Sequence, residues 1–142
     1  MANNNTIWLY DPINYQLKKI NKAGKIVFQS RRLNQLIQTP IQPNFLLERN
    51  NQLFLNDPVH GVFVFDGFGQ LKQQLPITGI QQFQVLNNQL VYFKEGELKR
   101  FSLDILKEEK IVIPFREEAI DLILPMKERF LVVKKNEVLL IK

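Results

Sequence analysis

Apolar residues fall in short runs along the whole chain, and Asn, Asp, Gly and Pro interrupt them at similar offsets. Runs this short, rich in β-branched and aromatic residues and bounded by turn formers, predict strands joined in hairpins. The pattern is clearest between residues 45 and 75. Phe45 to Glu48 reads as a strand, Asn50-Asn51 as a turn, Leu53 to Leu55 as a strand and Asn56-Asp57-Pro58 as a loop. Val62 to Phe65 is then a strand, Asp66-Gly67-Phe68-Gly69 a turn and Leu71 to Leu75 a strand. The same order returns with Phe83 to Leu86, Leu90 to Phe93, Leu98 to Phe101 and Ile111 to Ile113. Three strands are legible near the start (Ile7 to Tyr10, Gln16 to Ile20, Ile26 to Gln29) and three near the end (Ile120 to Leu124, Phe130 to Val133, Val138 to Ile141).

The recurrence is an internal repeat. Asn-Asn-Thr-Ile-Trp-Leu-Tyr-Asp-Pro from Asn4 aligns with Asn-Asn-Gln-Leu-Phe-Leu-Asn-Asp-Pro from Asn50, with Asn-Asn-Gln-Leu-Val-Tyr-Phe-Lys-Glu-Gly from Asn87 and, more weakly, with the segment from Lys127. Starts roughly 37 to 46 residues apart match one four-stranded propeller blade. The expected units are 4–43, 44–79, 80–116 and 117–142. Leu33, Leu36 and Ile37 have the spacing of one helix face before Pro40 and Pro43, so Arg31 to Gln42 is expected to be an irregular connection.

A four-stranded antiparallel sheet cannot cover both of its faces, and repeated sheets stacked about an axis supply the cover for one another. Phe63-Val64-Phe65 and Leu131-Val132-Val133 are apolar at consecutive positions, as in strands covered on both faces. The expected fold is therefore all-β and β-propeller-like, an incomplete propeller of about three and a half four-stranded antiparallel blades. An open stack exposes apolar end faces. The leading expectation is a fragment of a longer propeller, with self-association through open blade faces as the second.

On the Ile-Trp-Leu-Tyr-Asp and Leu-Phe-Leu-Asn-Asp-Pro strands, on Val62-Phe63-Val64-Phe65-Asp66 followed by Gly69, and on Val91-Tyr92-Phe93-Lys94-Glu95-Gly96, the chain resembles uncharacterised bacterial β-propeller repeat proteins of NHL-like or YWTD-like type. The resemblance spans nearly the whole chain and is to the C-terminal half of such proteins. It implies a repeat scaffold, and larger relatives that are often exported to the cell envelope. The Tyr-Trp-Thr-Asp run itself is absent.

Composition narrows the function classes. The 142 residues are 45% hydrophobic, enough for a packed core, and with no cysteine neither a disulfide nor a thiolate metal site can form. The formal net charge of +5 is dispersed: Lys18, Lys19, Lys22 and Lys25 straddle a turn, and Lys107 and Lys110 flank Glu108 and Glu109. That dispersal predicts no nucleic-acid stripe. No run approaches a membrane span, and no signal peptide is expected at the N-terminus.

Candidate chemistry is sparse. His60 is the single histidine, in Asp57-Pro58-Val59-His60-Gly61, and it could serve as a base or ligand. Asp11-Pro12 and Asp57-Pro58 hold matching positions; such loops around a ring could converge on a cation or a basic partner, and turn capping is the simpler expectation for both. Asp66-Gly67-Phe68-Gly69 lacks the Lys-Ser/Thr ending and the helix of a phosphate loop, and reads as a hairpin turn. Trp8, Phe54 and Phe63 are expected in the core, and Glu117, Glu118 and Asp121 on a solvated surface. No catalytic residue, cofactor or metal is implied. Asp11, Asn14, Asp57 and His60 are the candidate ligand-binding residues. The function read from the sequence is a non-enzymatic repeat scaffold for a protein or glycan partner. The alternative is a propeller-type hydrolase or lyase-like enzyme whose axial site the Asp-Pro loops form.

Overall fold

The computed structural model describes residues 5–37, 39–111, 120–126, 129–134 and 137–141, the last three stretches as strands and their pairing. The chain divides into two compact units, Met1–Gln81 and Gln82–Lys142. The first contains the sheet β1 (Ile7–Asp11), β2 (Gln16–Ile20), β3 (Ile26–Gln29), then the helical turn α1 (Leu33–Leu36), then the sheet β4 (Phe45–Arg49), β5 (Gln52–Asp57), β6 (Gly61–Phe65), β7 (Leu71–Leu75). The second contains the sheet β8 (Gln84–Leu86), β9 (Gln89–Lys94), β10 (Glu97–Ser102), β11 (Glu108–Lys110), and the sheet β12 (Ile120–Met126), β13 (Arg129–Lys134), β14 (Glu137–Ile141). Each sheet is an antiparallel meander in chain order, so every connection within it is a hairpin.

The paired asparagines set two of these hairpins. Asn50 and Asn51 have φ of 54° and 60°, and Asn87 and Asn88 of 50° and 60°. A two-residue turn with positive φ at both central positions matches the twist of its strands, and Asn reaches that region more readily than most residues. The registers Arg49↔Gln52 and Leu86↔Gln89 follow from these turns.

Register in turn sets which residues share a face. Leu53 pairs with Phe65 and Leu55 with Phe63, and these four lie in one buried cluster with Trp8 and Leu17 of the first sheet. Trp8 and Phe28 meet edge to face, with centroids 5.6 Å apart at 73°. Phe54, Val62 and Val64 occupy the alternate positions and are equally hidden from solvent, so β5 and β6 are covered on both faces. Each fully buried Phe contributes about 1.5–3 kcal/mol. In the second unit Leu90, Tyr92 and Leu98 are buried, Tyr92 donates a hydrogen bond to Glu108, and β12 lies beside β8 and β9.

The described part of Arg31 to Gln42 is an irregular connection containing one helical turn, α1, where Leu33 and Leu36 have helix-face spacing, and Leu33, Ile37 and Ile41 are buried in the cluster between the first two sheets. One expectation needs correction: the described fourth strand of the third sheet is Glu108–Lys110, which ends before the expected start at Ile111. It pairs through Phe101↔Glu108 and Lys99↔Lys110, with Arg100 and Glu109 in an ion pair at 2.8 Å. As a solvated edge strand it is held by charge and hydrogen bonding, and it therefore lacks the apolar signature by which strands are recognised. The Ile111 amide extends the ladder to the Leu98 carbonyl; residues 112 and 113, like Glu117 and Glu118, lie outside the described residues.

Gly61 opens β6 at φ 113°, where a Cβ would sit 2.3 Å from the Leu75 carbonyl oxygen. Gly61→Ala is expected to lower unfolding stability by about 2–4 kcal/mol, from backbone strain and overpacking together. A chemical denaturation curve superimposable on that of the unsubstituted protein would contradict this packing.

Candidate functional site

The two Asp-Pro loops leave equivalent hairpins, β1 to β2 and β5 to β6. In the first, one Asp11 oxygen accepts from the backbone N–H groups of Ile13 (2.9 Å) and Asn14 (3.2 Å). The other accepts from Asn14 Nδ2 (2.9 Å) and Lys18 Nζ (2.6 Å). In the second, one Asp57 oxygen accepts from the N–H groups of Val59 (2.8 Å) and His60 (3.2 Å). The other accepts from the Gln42 N–H at 3.0 Å and lies 2.9 Å from His60 Nδ1.

Both carboxylates thus take four hydrogen bonds, the full capacity of an ionised carboxylate. The bonds to Lys18, then to the Asn14 side chain and backbone, hold the Asp11 carboxyl far below the usual range. For Asp57 burial pushes upward, but the Gln42 N–H, the His60 side chain and the Val59 and His60 N–H groups outweigh it and leave the value lowered. A saturated, strongly acidic carboxylate is a turn cap. It makes a weak base, and it has no lone pair left for a cation.

The structure therefore joins Asp11 with Asn14 and Asp57 with His60, each pair inside its own loop. The His60 ring is half-exposed and its carbonyl accepts from Gln74 Nε2 at 2.7 Å. Among the described residues no hydroxyl hydrogen-bonds to the ring, and no group of three or more His, Asp and Glu side chains could hold a metal ion. No described helix is long and apolar enough to cross a membrane.

Beside these loops is a cleft of about 620 Å³, walled by Tyr10, Tyr15, Pro40, Pro43, Gln42 and Phe45 among others. Among the described residues its only titratable side chains are the two tyrosines. Burial, then the neighbouring charges of Tyr15 and Asp11, raise the Tyr10 hydroxyl above its ordinary value, and that oxygen is buried without a partner. The bond from the Gln42 N–H to Asp57 ties one wall of the cleft to the second loop. No sequence motif marks this cleft, whose walls come from separate stretches of the chain. Tyr15 closes the β1–β2 turn at φ 56°.

Solved structures place the fold. The chain is similar to PorZ, a bacterial surface component of the type-IX secretion system of Porphyromonas gingivalis, at 16% identity and a TM-score of 0.66 over 95% of this chain and 19% of that one. Virginiamycin B lyase from Staphylococcus aureus matches at 13% identity and a TM-score of 0.60, over all of this chain and 53% of the lyase. BamB from Moraxella catarrhalis matches at 10% and 0.55, over all of this chain and 44% of BamB. These are β-propeller proteins, and the chain has a propeller-type all-β fold. It spans about half or less of each relative's length. No protein-family model and no curated protein matches the sequence.

The lowered acidity constants carry a sign. A carboxylate whose value is depressed on folding adds stability that is complete above the unfolded value near 4 and is lost as pH falls through the folded one. Thermal unfolding temperatures are expected to fall between pH 5 and pH 2. Asp57→Asn is expected to flatten that slope and to cost about 1–3 kcal/mol at pH 7, because it removes the charge that four donors share and sets an amide NH2 where an oxygen accepts from the Gln42 N–H. An Asp57→Asn protein as stable at neutral pH as the parent would refute the capping role.

Proposed function

We propose that this chain is a non-enzymatic β-propeller binding scaffold, with a ligand surface on the Asp-Pro loop side of its first two sheets. The observation that carries this reading is the saturation of both loop carboxylates, by donors of their own loops together with Lys18 of β2 and the Gln42 N–H of the linker. Loops organised in this way hold a shape, and the adjoining 620 Å³ cleft is within the roughly 300–1,000 Å³ range of ligand pockets. A protein or glycan segment is the partner class. Asn14 and His60 would contact it from the rim, while Asp11 and Asp57 position the turns. The NHL-like or YWTD-like strand motifs and the units 4–43, 44–79, 80–116 and 117–142 belong to the same proposal. The propeller relatives, one of them a surface component, support it through the fold alone.

Self-association or membership of a larger propeller is a second part of the reading, favoured by one face of the first sheet. Ile7, Ile20 and Ile26 pair across β1, β2 and β3, and Ile7 and Ile26 remain 55% and 48% exposed. A row of isoleucines on an uncovered sheet face is the kind of surface that another sheet covers.

The competing reading is a propeller-type hydrolase or lyase, for which the Asp57–His60 pair supplies an oriented imidazole. Incubation with panels of esters, glycosides and lactones is expected to give no turnover above the buffer rate. Turnover abolished by His60→Ala, in a protein with an unchanged unfolding temperature, would overturn the scaffold reading.

A further inference from the structure

A second surface lies across the first two sheets from the Asp-Pro loops, around the β6–β7 turn. The Asp66 carboxylate accepts from the Phe68 and Gln70 N–H groups at 2.9 and 3.0 Å, fixing the turn. Its glycines let it sit close on its neighbours: a Cβ at Gly67 would meet Asn51 Oδ1 at 2.5 Å, and one at Gly69 would meet the Phe28 ring at 3.0 Å. Phe68 projects from this pinned turn as its one aromatic side chain, 74% exposed.

An aromatic side chain held out on a rigid turn loses little entropy when it is covered. Two hollows flank it and share both Phe28 and Phe68. One, of about 350 Å³, is walled by Trp8, Lys19 and Val27, and the other, of about 520 Å³, by Gln29, Arg31 and Leu71. Residues 27 to 31 run from one hollow to the other along β3 and its continuation, and β3 is the last strand of its sheet. Four steps of extended chain span about 13 Å. An edge strand also offers backbone groups to an added strand.

The charge in these hollows has one sign. Among the described residues Lys19 and Arg31 are their only ionisable side chains, and no carboxylate lines either. Lys19 Nζ lies 5.3 Å from the Trp8 ring centroid, and among the described residues neither cation is in an ion pair. The Asp-Pro cleft, by contrast, is lined by no charged residue.

The geometry points to a docking groove for an extended acidic peptide segment that alternates carboxylates with apolar side chains. Its apolar side chains would enter the two hollows on either side of Phe68, and its carboxylates would meet Lys19 and Arg31. Both hollows and β3 lie in the first unit and use none of the Asp-Pro loop residues, so this surface stands or falls independently of the loop-side cleft.

Trp8 is the single tryptophan and reports on the groove. The whole chain is titrated with a blocked hexapeptide alternating glutamate and phenylalanine, with the same peptide carrying lysine for glutamate, and with phosphatidylserine vesicles. The acidic peptide is expected to change Trp8 emission saturably, to bind at least about tenfold tighter than the lysine peptide, and to weaken with added salt. Phe68→Ala and Arg31→Glu are each expected to weaken it about tenfold at an unchanged unfolding temperature. Equal binding of both peptides, an unaffected Phe68→Ala variant, binding to vesicles alone, or no emission change with any probe would each overturn the proposal.

Discussion

A sheet of three or four short strands presents two apolar faces and can shelter neither alone, and that constraint accounts for most of the first unit. Leu53, Leu55, Phe63 and Phe65 are hidden because Trp8, Leu17 and Phe28 lie over them, and the segment carrying Leu33, Ile37 and Ile41 completes the seal. The two sheets share this one cluster. The strands are too short to be stable by pairing alone, since isolated hairpins are marginal in water. Face-to-face burial thus comes before everything built on the sheets, including both clefts.

The turns convert that stack into surfaces. Asp11, Asp57 and Asp66 all spend their carboxylates on backbone N–H groups of their own loops, and in each the charge is consumed locally. What such turns display is left to their other residues: His60 and Asn14 on one side of the sheets, Phe68 on the other. Capping thus withdraws these three carboxylates from chemistry.

Strand alternation and paired turn residues made the architecture legible. Gln16–Ile20, Ile26–Gln29 and Leu71–Leu75 were bounded correctly from the sequence because turn formers border the strands. Glu108–Lys110 was missed because an edge strand satisfied by Arg100, Lys99 and Tyr92 has no need of apolar residues. The turn role of Asp11 and Asp57 was also legible, since Asp before Pro carries its own local chemistry. The clefts were not. Tyr10 and Tyr15 come together with Pro40 and Pro43 only when the linker folds back. Phe28 and Phe68 are distant in sequence, and Phe68 in a glycine-rich turn looks like any other turn residue until Gly67 and Gly69 are seen pressed against Asn51 and Phe28.

The central claim is that the first two sheets are stable only together. Native-state amide hydrogen exchange on Leu17→Ala tests it most directly, because Leu17 is wholly buried and belongs to β2 alone. Coupled burial predicts that amides of β5 and β6 lose protection in step with those of β1 and β2. Loss confined to β1, β2 and β3, with the β4–β7 sheet as protected as before, would contradict it.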